Sequence, residues 1–173
     1  MGYQQLFLVL ASVVLLSLLM VQINNNTVEG REALQQLELQ HTAVAIAQQF
    51  VEEAKSKKFD ALVGVIPATS MPGGFTLPLG KNASETYPLF NDVDDYHNFS
   101  STVYVNGSNF DPTATSGIPF TVDIQLHYVS DANPDSAVSG RTFFKRMRVR
   151  VTSSYIPGQI LVKHVFSYYG VNM

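Results

Sequence analysis

Apolar residues are concentrated at the start of the chain. Residues 6–23 read LFLVLASVVLLSLLMVQI, with only Ser12, Ser17 and Gln22 as polar interruptions. A helix needs about 20 apolar residues to cross a hydrocarbon core of roughly 30 Å. This apolar segment, residues 6–23, is therefore predicted to be a helix of membrane-spanning length.

The residues that flank the apolar segment are unlike those of a cleaved signal peptide. Such a peptide begins with a basic region and ends in a small-residue cleavage site. Residues 1–5 read MGYQQ, and the first charged residue is Glu29. Two interpretations stay open: Met1 initiates an unusual signal anchor, or Met1 is the mature N-terminus after removal of a short basic leader.

Residues 28–60 contain no proline and are predicted to continue the helix. Their apolar positions recur at helical spacing, and Gln, Glu, Ala and Leu favour a helix. Residues 24–30 contain Asn24–Asn26 and Gly30, which are poor helix formers, so either a break or a continuous helix is expected there. Pro67 ends the pattern. The apolar positions that we expect to face the remainder of the protein are Leu34, Leu37, Val44, Ala47, Val51 and Ala54, flanked by Leu39, Ile46 and Phe50.

Beyond residue 64 the period of the pattern changes from helix to strand. Apolar and polar residues alternate over 119–129, 142–152 and 159–169, which predicts three strands with one buried face, joined by a polar loop and a turn. Residues 75–79 alternate too and allow one short strand. The predicted fold class is α+β, in which the second half of the long helix, residues 34–58, covers an antiparallel sheet.

This pattern divides the chain into three parts. Residues 1–27 form a hydrophobic segment for a membrane or a filament core, 28–64 an amphipathic helix that enters the head, and 65–173 a β-rich head. Small residues in the first part, such as Ala11, Ser12 and Ser17, allow helices to approach closely.

Composition and motifs exclude several functional classes. The chain of 173 residues has no cysteine, so disulfides, thiol catalysis and thiolate metal sites are ruled out. The net charge is −3 without a clustered basic face, so no nucleic-acid binding is evident. The basic residues Arg146, Arg148 and Arg150 alternate with apolar ones and are interpreted as a solvated strand face. No catalytic or phosphate-binding motif is present, and we do not expect an enzyme.

Three motifs of the head resemble those of a known family. Residues 92–99, DVDDYHNF, are similar to a D-x-D-D-Y-x-x-F/W stretch of some minor pilins. In those proteins it precedes strands similar to 120–129, FTVDIQLHYV, and 144–151, FKRMRVRV. Together with the N-terminal helix, the order of these motifs resembles the type IV pilin superfamily over the helix and residues 90–168.

The resemblance implies a structural subunit of an extracellular type IV pilus-like filament at the cell surface. It implies a helical homo-oligomer that waits in the inner membrane, with a prepilin peptidase and the pilus assembly machinery as partners. Minor pilins, secretion pseudopilins and non-polymerising membrane-anchored binding modules remain alternatives. The terminus, Met1 and Gln5, would act in assembly, although pilins usually carry Glu where this chain has Gln5. The filament-core residues implied are Leu6, Leu10, Val13, Val14, Leu16, Leu19 and Met20.

Two further sites follow from residue types. Asp92, Asp94 and Asp95 supply the carboxylate oxygens that calcium prefers, although their spacing departs from the EF-hand pattern. The alternative is a turn in which the aspartates cap backbone amides and Tyr96 packs into the head. No other cofactor is expected. Glycosylation sequons occur at Asn82, Asn98 and Asn106, and also at Asn25.

Overall fold

The computed structural model describes residues 2–65, 67–106, 109–111 and 115–169. Besides two short 3₁₀ helices, Ala68–Ser70 and Val93–Tyr96, its elements in chain order are α1 (Tyr3–Lys55), β1 (Phe99–Asn106), β2 (Asn109–Asp111), β3 (Ile118–Tyr128), β4 (Phe144–Thr152) and β5 (Gln159–Ser167). The chain divides into two compact units, residues 1–39 and 40–173.

Helix α1 is continuous over 53 residues. It passes through residues 24–30 without a break, so the alternative of a continuous helix is the one observed. Thr27 Oγ1 donates to the carbonyl of Ile23 at 2.8 Å, which ties this polar stretch to the backbone of the preceding turn. The helix ends at Lys55, earlier than the predicted residue 60. Asp60 lies in the core instead, where its side chain binds other parts of the head.

The five strands form one antiparallel sheet in the order β2-β1-β3-β4-β5. The prediction of an α+β protein with three C-terminal strands in a meander is confirmed. Strand β1 was not predicted. The short strand allowed over residues 75–79 is wrong: bends and irregular backbone occupy this stretch, and the Phe75 side chain is buried in the core.

One face of the sheet forms the core of the head. Cross-strand pairs such as Val122–Val151, Ile124–Val149 and Leu126–Met147 place fully buried apolar side chains on this face. The end of α1 contributes a complementary buried stripe, and the Phe50 ring lies 5.8 Å from the Phe99 ring of β1. The buried helix residues are Ala43, Ile46, Ala47, Phe50, Val51 and Ala54.

The covering part of α1 is shorter than predicted. Leu34 and Leu37 are 62% and 50% exposed, so burial begins at Ala43 rather than at residue 34. Their helical spacing does continue the stripe, but they lie in residues 1–39, the unit that does not contain the head core.

The opposite face of the sheet is polar but only partly solvated. Arg150 is exposed and forms an ion pair with Asp123, as expected for a solvent-exposed face. Arg146 is 5% exposed, so its predicted solvated position is wrong. Its guanidinium donates to the carbonyl of Pro134 at 3.1 Å, because the connection between β3 and β4 folds over it.

Candidate functional site

The apolar segment of α1 presents a large unpartnered surface. Its described side chains are exposed throughout, and no described residue in the most apolar stretch of the helix is buried. By length and composition, α1 is able to cross a membrane. Met1 and the Leu6 side chain lie outside the described residues. The other predicted core residues, all more than half exposed, are Leu10, Val13, Val14, Leu16, Leu19 and Met20.

The polar residues within this segment are satisfied by the helix itself. Ser12 Oγ donates to the Val9 carbonyl at 2.8 Å, and Ser17 Oγ donates to the Val13 carbonyl at 2.9 Å. Such bonds remove the cost of placing a hydroxyl in an apolar medium. Near the start, the backbone N–H of Gln5 donates to the carbonyl of Gly2 at 2.9 Å, as in an ordinary first helical turn.

The predicted calcium residues form a buried acidic turn, residues 91–96. Asp92 Oδ1 accepts from the Asp94 amide at 2.8 Å, and Asp95 Oδ2 accepts from the Asn91 amide at 2.9 Å. Together these bonds cap a short 3₁₀ helix, Val93–Tyr96, and Tyr96 is fully buried. The alternative of capping aspartates with a packed tyrosine is confirmed.

The third aspartate of the turn faces a different partner. Asp94 Oδ1 lies 2.5 Å from the ammonium of Lys145, which also donates to Asp60 Oδ2 at 2.8 Å and to the Phe59 carbonyl at 2.8 Å. The side chains of Lys145 and Asp60 have no exposed area, and that of Asp94 has 2%. We refer to these three residues as the Lys145 cluster.

The two carboxyl groups of the Lys145 cluster have different surroundings. Asp60 also accepts from the amides of Thr76 and Leu62 and from the Thr76 hydroxyl. Although burial opposes ionisation, Lys145 and these donors lower the pKa of Asp60. Burial, together with the nearby Asp60 charge, raises the pKa of Asp94 to about 8 despite Lys145. At neutral pH the Asp60 carboxyl group is therefore ionised, and the Asp94 carboxyl group is mostly protonated.

The positive charge beside the acidic turn comes from Lys145, which contacts Asp94. Asp92 and Asp95 accept bonds from backbone amides, while Asp94 contacts the ammonium. Across the part of the chain that the structure describes, no group of three or more His, Asp or Glu side chains is arranged to hold a metal ion. The geometry thus assigns the acidic turn to the internal packing of the head.

The acidic turn is joined to α1 by a shared glutamate. Glu53 accepts from the Tyr96 hydroxyl at 2.7 Å and from the Tyr87 hydroxyl at 3.1 Å. Burial, with Glu53 as a neighbour, raises the pKa of Tyr87 to about 12 and that of Tyr96 further. Both phenols therefore remain donors across the physiological pH range.

Removing the stronger of these two bonds is expected to destabilise the head. Tyr96→Phe leaves an oxygen of the half-buried Glu53 carboxylate without its donor, which costs about 1.5 to 3 kcal/mol of unfolding free energy. Tyr87→Phe is the matched control: it removes a longer bond from a half-buried ring, and we expect a loss of about 1 kcal/mol or less. Chemical denaturation followed by near-ultraviolet circular dichroism measures both. Equal losses in the two variants would contradict the assigned ranking.

Asp92 should make the stability of the head depend on pH. Burial, together with the charge of Asp95, raises the pKa of Asp92 to about 6 in the folded state from an unfolded value of 3.8. The folded state thus binds the proton more tightly, so this stabilisation is complete below pH 4 and is lost as the pH rises through 6.

Asp92→Asn tests this assignment because asparagine also caps helices. The unfolding free energy of the parent chain should fall between pH 4 and pH 7. We expect this decrease to be about 1 to 2 kcal/mol smaller in the variant. Denaturation curves collected across this pH range give the difference. Parallel pH profiles for the two proteins would show that Asp92 does not titrate with a raised pKa.

The predicted glycosylation sites are accessible in the described structure. Asn82, Asn98 and Asn106 all have exposed side chains, as does Asn25 on α1. Asn98 adopts a left-handed backbone conformation with φ of 58°, in the turn that leads into β1. Glycosylation at these positions stays a prediction.

Sequence reasoning missed Asp60, Lys145 and Glu53. A signal for Lys145 was present in the alternation of β4. Counting every second residue along the strand, Lys145 falls on the same face as Met147, Val149 and Val151. The other face carries Arg146, Arg148 and Arg150. The alternation alone therefore assigns Lys145 to the buried face. No local pattern identified its partners, which are 85 and 51 residues away along the chain.

The described residues define a class of protein: an α+β head with its own core, preceded in the chain by an exposed apolar helix able to cross a membrane. No protein-family model, curated protein or solved structure matches the chain.

Proposed function

We propose that this chain is the structural subunit of an extracellular filament of the type IV pilus kind, polymerised through its N-terminal helix. The observation that supports this most is the unburied apolar surface of residues 7–23, on a chain whose head has a core of its own. The order of head motifs that resembles pilins supports it too.

Such a surface is suited to two successive environments. In lipid, the apolar side chains contact acyl chains while the serines bond the helix backbone. In a filament, the same side chains would pack against those of neighbouring helices, and Ala11, Ser12 and Ser17 would permit close approach. The subunit thus waits in the inner membrane and moves to the filament when the assembly machinery extracts it.

Electron microscopy of material sheared from cells tests the proposal. We expect filaments in which this chain is the abundant protein by mass spectrometry. Filaments that contain it only in trace amounts would favour the minor pilin or pseudopilin alternative. A chain that stays monomeric in the membrane fraction would overturn polymerisation and favour an anchored binding module.

Cysteine labelling gives a residue-level test, since the chain has no native cysteine. Ser17→Cys should react with a maleimide in detergent-solubilised monomers but be protected in washed filaments. Ser84→Cys, at an exposed position of the head, is the matched control and should react in monomers. Equal reactivity of the Ser17→Cys variant in monomers and filaments would place residue 17 outside the filament core.

A further inference from the structure

The ammonium group of Lys145 lies in an enclosed, aromatic environment. Its Nζ is 4.3 Å from the centre of the Phe59 ring, 5.2 Å from that of Tyr128 and 5.6 Å from that of Phe75. The side chain has no exposed area. Water is therefore excluded from the point at which the amine meets the carboxyl groups, and this favours condensation over hydrolysis.

The two carboxyl groups beside Lys145 are suited to different chemical roles. Asp60 is held as an anion by the Thr76 and Leu62 donors, so it is a poor electrophile, and its Oδ2, 2.8 Å from Nζ, is placed to receive a proton from that nitrogen. Among the described residues, neither oxygen of Asp94 has a hydrogen bond of suitable direction, although Oδ1 is 2.5 Å from Nζ. Because burial raises its pKa to about 8, Asp94 is a neutral carboxylic acid at pH 7, the form that an amine can attack.

We propose that Lys145 and Asp94 condense to an intramolecular amide bond between Nζ and Cγ, with Asp60 as the proton acceptor. Three groups carry this inference by their contact: a buried amine, a buried carboxyl group 2.5 Å from it and a carboxylate that touches the same nitrogen. The bond is independent of the proposed filament function, since every participant lies within the head.

The reaction balances without a further reactant. Lys145 first transfers one ammonium proton to Asp60, and the neutral amine then attacks Cγ of the protonated Asp94. The Nζ–Cγ bond forms, and the Cγ–OH bond breaks. The leaving hydroxyl takes a second proton from the nitrogen and departs as water. The products are an uncharged amide, protonated Asp60 and one water molecule, and nothing is oxidised or reduced.

The position of this bond gives it a structural consequence. It joins residues of the acidic turn and strand β4 that are 51 positions apart in the sequence, in a chain that has no cysteine with which to form a disulfide. A covalent connection of this kind restricts the unfolded chain in the same way as a disulfide. Unlike a disulfide, it is not opened by thiol reductants.

Mass spectrometry of the full chain, purified from membranes in detergent and then denatured, tests the bond directly. We expect the wild-type chain to be lighter than its sequence by one water. Digestion after lysine should give a fragment of residues 82–163 that lacks one water, since an acylated Lys145 is not cleaved. A chain of full mass that is cleaved after Lys145 would overturn the proposal.

Three variants separate this bond from other losses of water. Lys145→Arg and Asp94→Ala remove one reactant each and should restore the full mass; a loss that persists in Asp94→Ala arises elsewhere and overturns the assignment. Asp60→Asn keeps both reactants and removes the proton acceptor, so we expect most chains to be unlinked. A complete linkage in Asp60→Asn would overturn the role of Asp60. All these masses are measured on denatured protein, so the measurement itself does not require a folded variant, and near-ultraviolet circular dichroism before denaturation shows that the head of each variant has folded.

Discussion

Replacing Lys145 with methionine is expected to lower the unfolding free energy of the head by about 3 to 5 kcal/mol. Methionine preserves the length of the side chain but removes the ammonium that contacts Asp60, Asp94 and the Phe59 carbonyl. The carboxylate of Asp60 then stays buried without its counterion. Chemical denaturation monitored by near-ultraviolet circular dichroism of the tyrosines measures the loss, which includes the loss of the amide bond where it has formed.

Lys163→Met is the matched control for this variant. Lys163 also pairs with an aspartate, Asp135 at 2.7 Å, but both side chains are well exposed. Exposed pairs contribute about 0 to 1 kcal/mol, so we expect little change. Adding Asp60→Asn to Lys145→Met removes the unpaired charge and should recover part of the stability. Similar losses for Lys145→Met and Lys163→Met would contradict a central role for the buried cluster.

The sheet was predictable because its strands alternate strictly. In β3, every second residue from Phe120 to Tyr128 is buried, and this alternation of apolar and polar residues is visible in the sequence. β5 has the most irregular sequence pattern of the three. Val165 lies on its outer face and is 38% exposed, so an apolar residue here does not indicate burial.

Other parts of the fold depended on contacts that a local pattern does not contain. β1 includes Ser100, Ser101 and Thr102, so half of it resembles a polar loop, and its pairing with β3 makes it a strand. The covering stripe of α1 was placed too early because Leu34 and Leu37 have the correct spacing. Spacing identifies a face of a helix, but it does not show where the surface that covers this face begins.

The buried charges were the least predictable feature of the head. A lysine within a basic run, such as Lys145, is usually solvated, and here its burial requires two aspartates from distant segments. The aspartates of the acidic turn were identified by residue type, yet type alone could not separate metal ligands from caps. The distinction depends on the direction of each carboxylate, which only the folded chain fixes.

Introducing a charge into the apolar segment should have an effect as large as removing the charge of Lys145 from its cluster. We expect Leu16→Arg to abolish filaments, because an arginine near the middle of the segment costs about 2.5 to 3.5 kcal/mol in a membrane and is unpaired in a helix core. That cost corresponds to roughly a hundredfold decrease in the equilibrium constant for membrane insertion. Filament counts in sheared material and the amount of chain in the membrane fraction measure the effect.

Leu16→Met is the apolar control and should assemble as the parent chain does. The head of the Leu16→Arg variant should unfold at the parent's denaturant concentration, because residue 16 lies outside the unit, residues 40–173, that contains the head core. Lost assembly with an intact head assigns polymerisation to the helix. Wild-type numbers of filaments from Leu16→Arg would mean that the apolar segment is not the polymerising surface, and the proposed function would then fail at its main support.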